Sequence, residues 1–356
     1  MSLLTMDDIA GQATLTTRIQ TLATEDTDAK FGALWGEGMT EKQVPGEEAK
    51  WDEIRASRGL APITGLMSPI GSRPVLGRFP RSANMFKIAE TRKIPWNKLF
   101  IDRAHGELKD NARATIDFEL KDMAREMNKT KELARSKALT GSFVVAAGTP
   151  PGSDLPFTLT FNVTALTKNA SWAVAATPIV SDEIPRFQDT MIAATGRAMT
   201  RGIINNISAK YLLGNTEVQN FARAEADAAR RMLESDTTAR QFLPGIRVGG
   251  IAWDINAYGY KATPAAGLTK WVADSKAILL PEDLSDVLMT CVGRQAVPNE
   301  RVIGQVDGDF PELQYGDIAW AKWVDNHGVL ELHLFSAWYG VFVVSYPEIV
   351  GYAALV

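Results

Sequence analysis

The chain has 356 residues, 46% apolar and 22% charged, enough for two substructures around linked cores and too balanced for a disordered or fibrous protein. A formal net charge of −4 argues against a general nucleic-acid binder, and the lone cysteine, Cys291, excludes an intrachain disulfide and a thiolate zinc site. The start, MSLLTMDDIAGQ, lacks a signal peptide's basic and apolar regions, and the run AWYGVFVVSY at 337–346 is about half the ~20 residues a membrane span needs. No membrane partner is expected, and a reducing cytosol fits.

Residues 1–53 hold eleven acidic and four basic side chains, with short helical fragments such as LTTRIQTLAT broken by Gly32, Gly36, Gly38 and Pro45. This reads as an arm that needs a surface to lie on. Residues 54–98 reverse the charge, with nine basic side chains against Glu90 alone. Within them, GLMSPIGSRP at 65–74 leaves Leu66, Met67 and Ile70 on an irregular segment, which suits a chain with partners. The strand-like pieces RPVLGRF and MFKIAETRKI flank RSAN and predict a two-stranded hairpin loop, too small to be stable without outside support. A basic loop after an acidic arm suggests that it meets an acidic surface on a neighbouring copy. Candidate contacts are Arg73, Arg78, Arg81 and Lys87, with the apolar Leu66, Met67, Ile70, Phe79 and Phe86.

From Glu107 to Leu139 there is neither glycine nor proline. Ile116, Leu120, Met123 and Met127 recur at helical spacing, Gly141 stands where a left-handed cap is expected, and a helix of roughly 50 Å follows. Its face is narrow and rich in alanine and methionine, so it should lie across a sheet. Asp117 and Lys121 are spaced for an i,i+4 ion pair, and Asp122–Arg125 and Glu126–Lys129 for i,i+3 pairs.

Beyond it, PFTLTFNV and SWAVAATPIVS predict strands, Ile184 to Gly202 a helix, IINNISA a short strand, and TEVQNFARAEADAARRMLES a helix. IRVGGIAWDINAYGYK reads as a strand bent at a double glycine, and LPEDLSDVLMTCVG as a loop and a strand. DIAWAKWV and VLELHLF flank DNHG as a hairpin, with YGVFVVSY and EIVGYAALV after it. Strands and helices are segregated, so the class is α+β.

Catalytic patterns are missing. No G-x-S-x-G elbow or phosphate-binding glycine loop occurs, and Cys291 in VLMTCVG reads as an inert core thiol. His327 and His333 read as a turn and a half-buried strand residue, and His105 as a helix cap. Neither metal, cofactor nor enzymatic activity is expected. The C-terminal aromatics Trp320, Trp323, Trp338, Tyr339, Phe342 and Tyr346 fit a sheet beneath the long helix.

The order of arm, basic loop, long helix, strand-rich platform, α/β lobe and closing strands resembles tailed-bacteriophage major capsid proteins of the lambda-type E family. The residues carrying the likeness are LMSPIGSRPV, KIPWNKLF, REMNKTKELARSKALTG, GIRVGGIAWDINAYG, AILLPEDLSDVLMTCVGRQA and FSAWYGVFVVSYPEIVGYAALV. It implies a Hong Kong 97-type fold: an arm over 1–53, an extended loop over 54–98, a peripheral domain over 99–180 with its spine helix, an axial domain over 181–300, and closing peripheral strands over 301–356. It further implies hexamers and pentamers in an icosahedral virion shell around double-stranded DNA, assembled in the bacterial cytoplasm with a portal and a decoration protein at three-fold positions. Since the loop takes up half of what precedes the helix, a separate scaffolding protein is expected. Lys87 and Asn97 are available, but no inter-subunit cross-link is expected. The alternatives are an encapsulin-like nanocompartment shell, or an α+β ligand-binding or enzymatic protein with 54–98 as a lid.

Overall fold

This computed structural model describes residues 12–24, 31, 40–54, 78–99, 108–145, 156–224, 246–261, 266–284, 287–297, 312–326 and 329–356. Its first helix, α1 (Gln12–Thr24), turns Leu15, Ile19 and Leu22 inward at i, i+4 and i+7, and Thr16 Oγ1 donates to the Ala319 carbonyl at 2.9 Å. The predicted arm fragment therefore lies on the chain's own body. After it come β1 (Thr40–Val44), β2 (Glu48–Ile54), β3 (Arg78–Asn84) and β4 (Phe86–Pro95), the last followed by one helical turn at Trp96–Leu99.

The predicted hairpin is corrected here. Strand β3 pairs antiparallel with β2, from Glu48 opposite Asn84 to Ile54 opposite Arg78, and parts company with β4 at the buried Met85. A lone hairpin of two such strands has nothing to bury. Strand β4, alternating half-buried and exposed, gains an apolar neighbour by joining a larger sheet, and β3 keeps the arm as its partner. Leu66, Met67, Ile70 and Arg73 lie outside the described residues, as do His105 and His327.

The long helix, α2, runs Leu108–Leu139, within one residue of expectation. Gly141 follows at φ +95°, with its N–H on the Ala138 carbonyl. A Cβ there would stand 2.9 Å from Val163 Cγ2 and meet the left-handed penalty as well. The predicted i,i+3 pairs on this helix do not form. Asp122 and Glu126 turn instead to Arg92 of β4, at 2.6 and 3.2 Å.

Next are β5 (Ser142–Val145), β6 (Phe157–Thr160), which pairs with it, and β7 (Thr164–Leu166). SWAVAATPIVS is no strand: it runs through turns into a wide helical turn at Ile179–Glu183, whose Val180 and Ser181 amides donate to the Glu217 carboxylate. Helix α3 (Ile184–Thr195) stops earlier than expected because Gly196 turns left-handed at φ +74°. IINNISA divides between two elements, β8 (Arg201–Ile204) and α4 (Asn206–Gly214). Asn205 causes the switch, accepting hydrogen bonds on its Oδ1 from the Ile207 and Ser208 amides. Helix α5 (Thr216–Ala224) follows. The double glycine is a hairpin turn and not a bend, with Gly249 at φ +61° and Gly250 at φ +80° linking β9 (Ile246–Val248) to β10 (Ile251–Ile255). Two short strands, β11 (Gly259–Tyr260) and β12 (Thr269–Lys270), pair before β13 (Lys276–Leu280).

The last strands are β14 (Leu288–Val297), β15 (Glu312–Tyr315), β16 (Ile318–Asn326), β17 (Val329–Val344) and β18 (Gly351–Ala354). VLELHLF and YGVFVVSY are thus one long strand, and its pairing with β16 bears out the predicted hairpin. One sheet runs β1-β14-β17-β16, with β4 added to β17 and β15 to β14; the other runs β7-β18-β13-β8-β10-β9. Pairing places β14 in the first sheet and β18 in the second, because β18 lies between β13 and β7.

Helix α2 spans the first sheet. Its N-terminal half packs Ala112, Ile116, Leu120, Met123 and Met127 with α1 and with Ala319, Ala321, Leu332 and Leu334 of β16 and β17. Its C-terminal turns join a second cluster, where Ala134, Ala138 and Leu139 pack with Phe143, Trp338 and Phe342. The other sheet has a core of its own around Trp172, Phe187 and Trp253.

Candidate assembly surface

The β2–β3 ribbon pairs a strand of the acidic arm with a strand of the basic loop. In β2, Ala49, Trp51 and Glu53 are buried while Glu48, Lys50 and Asp52 are exposed, the alternation of a strand covered on one side. All of β3 except Ala83 is exposed. Phe79 stands opposite Glu53 and is 43% exposed. Arg81 Nε donates to Glu53 Oε2 at 2.8 Å, and Arg78 lies 4.0 Å from Asp52. Part of the acidic surface expected on a neighbour is therefore the chain's own arm. The ribbon is tied to the body by Ile54 N donating to the Ser345 carbonyl and Met85 N to that of Glu47.

Lys87 is exposed on β4, opposite Tyr339. Phe86 is half-buried and packs against the chain's own core. Its ring stands 5.1–5.6 Å from those of Phe157, Phe143 and Trp338, because its position in β4 points into the aromatic layer of the sheet. The four helix residues singled out, Ile116, Leu120, Met123 and Met127, are all buried between helix and sheet.

A cluster the sequence reading missed joins β4 to α2. Arg92 donates to Glu90 (2.6 Å), Glu119 (2.9 Å) and Asp122 (2.6 Å), and lies 3.2 Å from Glu126. Burial works against its charge, but these carboxylates outweigh burial and raise its pKa further. Glu90 pays the opposite cost. Burial pushes its carboxyl up from the ordinary value, Arg92 pulls against that, and Glu126 adds to it. The signal was present in β4, where Ile88, Glu90, Arg92 and Ile94 share one face: two charged residues on a face that covers a helix need partners there.

A second internal pair links α2 to the start of β16. Lys131 Nζ lies 2.5 Å from Asp317 Oδ1 and 5.4 Å from the Trp338 ring, and burial lowers the lysine's pKa. Cys291 is fully buried, and loss of hydration pushes its thiol up to about 11, as befits an inert core residue. His333 is half-buried, with Nε2 3.1 Å from Glu331. Among the described residues no three His, Cys, Asp or Glu side chains gather as a metal site, and no helix is long and apolar enough to cross a membrane.

The chain matches a family model, phage major capsid protein E, over residues 11–305. No curated protein matches it. Among solved structures, it is similar to a prophage capsid protein of Escherichia coli CFT073, with a TM-score of 0.60 and 11% identity over 96% of this chain and 99% of that one. It is also similar to a phage-related protein of Bordetella bronchiseptica RB50 (TM-score 0.48, 9% identity, 97% of each chain). A further likeness is to the mature capsid of bacteriophage PhiM1 (TM-score 0.45, 11% identity, 90% of this chain and 86% of that one). The fold is the Hong Kong 97-type capsid fold.

Proposed function

The chain belongs to the phage major capsid protein E family, and from that premise we propose how it builds its shell. It is a structural protein of the virion capsid and assembles with copies of itself. The family match over residues 11–305 carries this reading. In the finer reading, copies form hexamers and pentamers of an icosahedral shell enclosing double-stranded DNA, with no catalytic step and no inter-subunit cross-link. The β2–β3 ribbon reaches the neighbouring subunit, which covers Phe79 and meets Arg78 and Lys87. Supporting this is the ribbon's exposure: two strands alone are marginal in water, and β3 leaves the Phe79 ring partly open and the Arg78 side chain largely open to solvent. A separate scaffolding protein sets the size of the shell, a decoration protein binds at three-fold positions, and a portal occupies one vertex.

Negative-stain microscopy with light scattering on the purified chain, at low and high salt, tests the assembly. Rings of five or six, tubes or shells are expected. A monomer or dimer that persists at high concentration, even with the phage's other head proteins added, would overturn it.

A further inference from the structure

Helix α2 distributes its charges unevenly between partners. Asp117 holds Arg18 at 2.6 Å; Glu119, Asp122 and Glu126 hold Arg92; Glu132 holds Arg135 and the Phe31 amide. The cations Lys121, Arg125 and Lys129 are exposed; Asp117 is an electrostatic neighbour of Lys121, whereas Arg125 and Lys129 have no ion pair among the described residues. Arg125 and Lys129 are spaced for intrahelical pairs with Asp122 and Glu126. Arg92 has drawn Asp122 and Glu126 to the other flank.

At about 100° per residue, Phe118, Lys121, Arg125 and Lys129 fall within an arc of roughly 80°, on the side opposite Leu120, Met123 and Met127. The stripe is about 17 Å long at 1.5 Å per residue, with Arg125 and Lys129 one turn apart. Phe118 at its head is 69% exposed, more than any other exposed large apolar side chain described. A single exposed aromatic is ordinary. An aromatic in line with three exposed cations, two of them without an ion pair among the described residues, is a docking pattern, apolar at one end and positive along the rest.

We propose that this stripe docks an acidic amphipathic helix of a partner protein, its carboxylates at one-turn spacing against Lys121, Arg125 and Lys129 and an apolar side chain over Phe118. Charge complementarity sets the sign of the partner, and Phe118 sets its class. A phosphate backbone would take the cations but leave the ring in water, whereas a helix covers both. One short helix buries little area, so each copy binds weakly and an array of copies binds firmly through multivalency. Identifying the partner as a scaffolding protein rests on the shell reading; the docking chemistry does not.

The test uses the full chain with a fluorescent synthetic helical peptide carrying glutamates at one-turn spacing and a leucine on the same face. A leucine-to-serine peptide and a duplex DNA oligonucleotide serve as controls. Binding is expected by anisotropy at low salt. Phe118→Ser should weaken it about tenfold, and Lys121→Gln with Arg125→Gln and Lys129→Gln should abolish it, with thermal unfolding unchanged in both variants. No binding by the acidic peptide would overturn the proposal. So would binding that Phe118→Ser leaves intact and duplex DNA competes away, since the stripe would then be a plain polyanion surface. Shell formation in the microscope is read separately, so loss of peptide binding with intact shells removes the docking site alone.

Discussion

Arg81 and Glu53 meet across the two-stranded ribbon, the guanidinium 2.8 Å from a carboxylate whose side chain is only 5% exposed. The pair fastens a loop strand to an arm strand. Arg81→Ala should therefore destabilise the chain by about 1–3 kcal/mol, because it takes a charged partner from a buried carboxylate. Arg78→Ala, at an exposed pair 4.0 Å apart, should cost less than about 1 kcal/mol. Denaturant unfolding of the two variants compares them; equal effects would show that the ribbon does not depend on Glu53. Arg78→Glu is accordingly the cleaner probe of assembly, and it should reduce capsomer formation while the chain stays folded.

Removing Arg92 leaves four carboxylates facing one another between β4 and α2. Arg92→Met should cost about 2–4 kcal/mol, below the full penalty for a broken buried pair because Glu126 and Asp122 reach solvent. Adding Glu119→Gln should restore part of the loss by removing repulsion. A double variant as unstable as the single one, in urea titrations, would show that the lost hydrogen bonds dominate.

Glu90 gives the joint a pH dependence of definite sign. Burial, with Glu126 beside it, raises its carboxyl above the ordinary value of 4.5, so the folded chain favours its protonated form. Its contribution to stability is full below that ordinary value and is lost as pH rises through the raised one. Glu90→Gln should flatten the dependence of Tm on pH from the mid-acid range towards neutrality and leave Tm at neutral pH equal or higher. Asp117 acts in reverse. Its hydrogen bond from Arg18 holds it below its ordinary 3.8, so its contribution is present above that value and fades as pH falls further. An unchanged pH profile in Glu90→Gln would remove Glu90 from the account.

Gly340 sits in β17 where β4 and β14 both pair with it, opposite Phe86 and Val292. A Cβ there would stand 2.4 Å from the Cys291 carbonyl oxygen and 2.7 Å from the Trp338 ring. Gly340→Ala should cost about 1–3 kcal/mol or more, since a backbone atom cannot yield as a side chain can. Gly46→Ala, with nothing within 4 Å of the new methyl, should be neutral or slightly stabilising. Thermal melts of the two variants decide it.

Cys291 should resist alkylation at mildly alkaline pH until the chain unfolds, since its thiol is buried and its pKa stands near 11. Labelling followed by mass spectrometry in native buffer and in denaturant reads this. Rapid labelling of the native chain would mean that the strand carrying it opens readily.

Local chemistry made the long helix legible. The absence of glycine and proline over 107–139, the recurrence of Ile116, Leu120, Met123 and Met127 at intervals of four and three, and Gly141 at the end are properties of the segment itself. The β16–β17 hairpin was legible for the same reason. The error at Asn205 was local too: read as part of a strand, it is an N-cap whose side chain starts a helix.

Pairing between distant segments was not legible. A strand's own sequence states which face is apolar but not which edge receives a partner, so β3 and β4 looked like each other's neighbours and instead found β2 and β17. Charge followed the same rule. The sequence established that the arm is acidic, the loop basic and the helix lined with both signs, while the order of elements and stretches such as REMNKTKELARSKALTG carried the resemblance to the family. Tertiary contact alone decided that Arg81 would face Glu53 and that Arg92 would gather the carboxylates of α2. Ion pairs depend on distances of a few ångströms between side chains far apart in sequence, and only the packing of helix on sheet sets those distances.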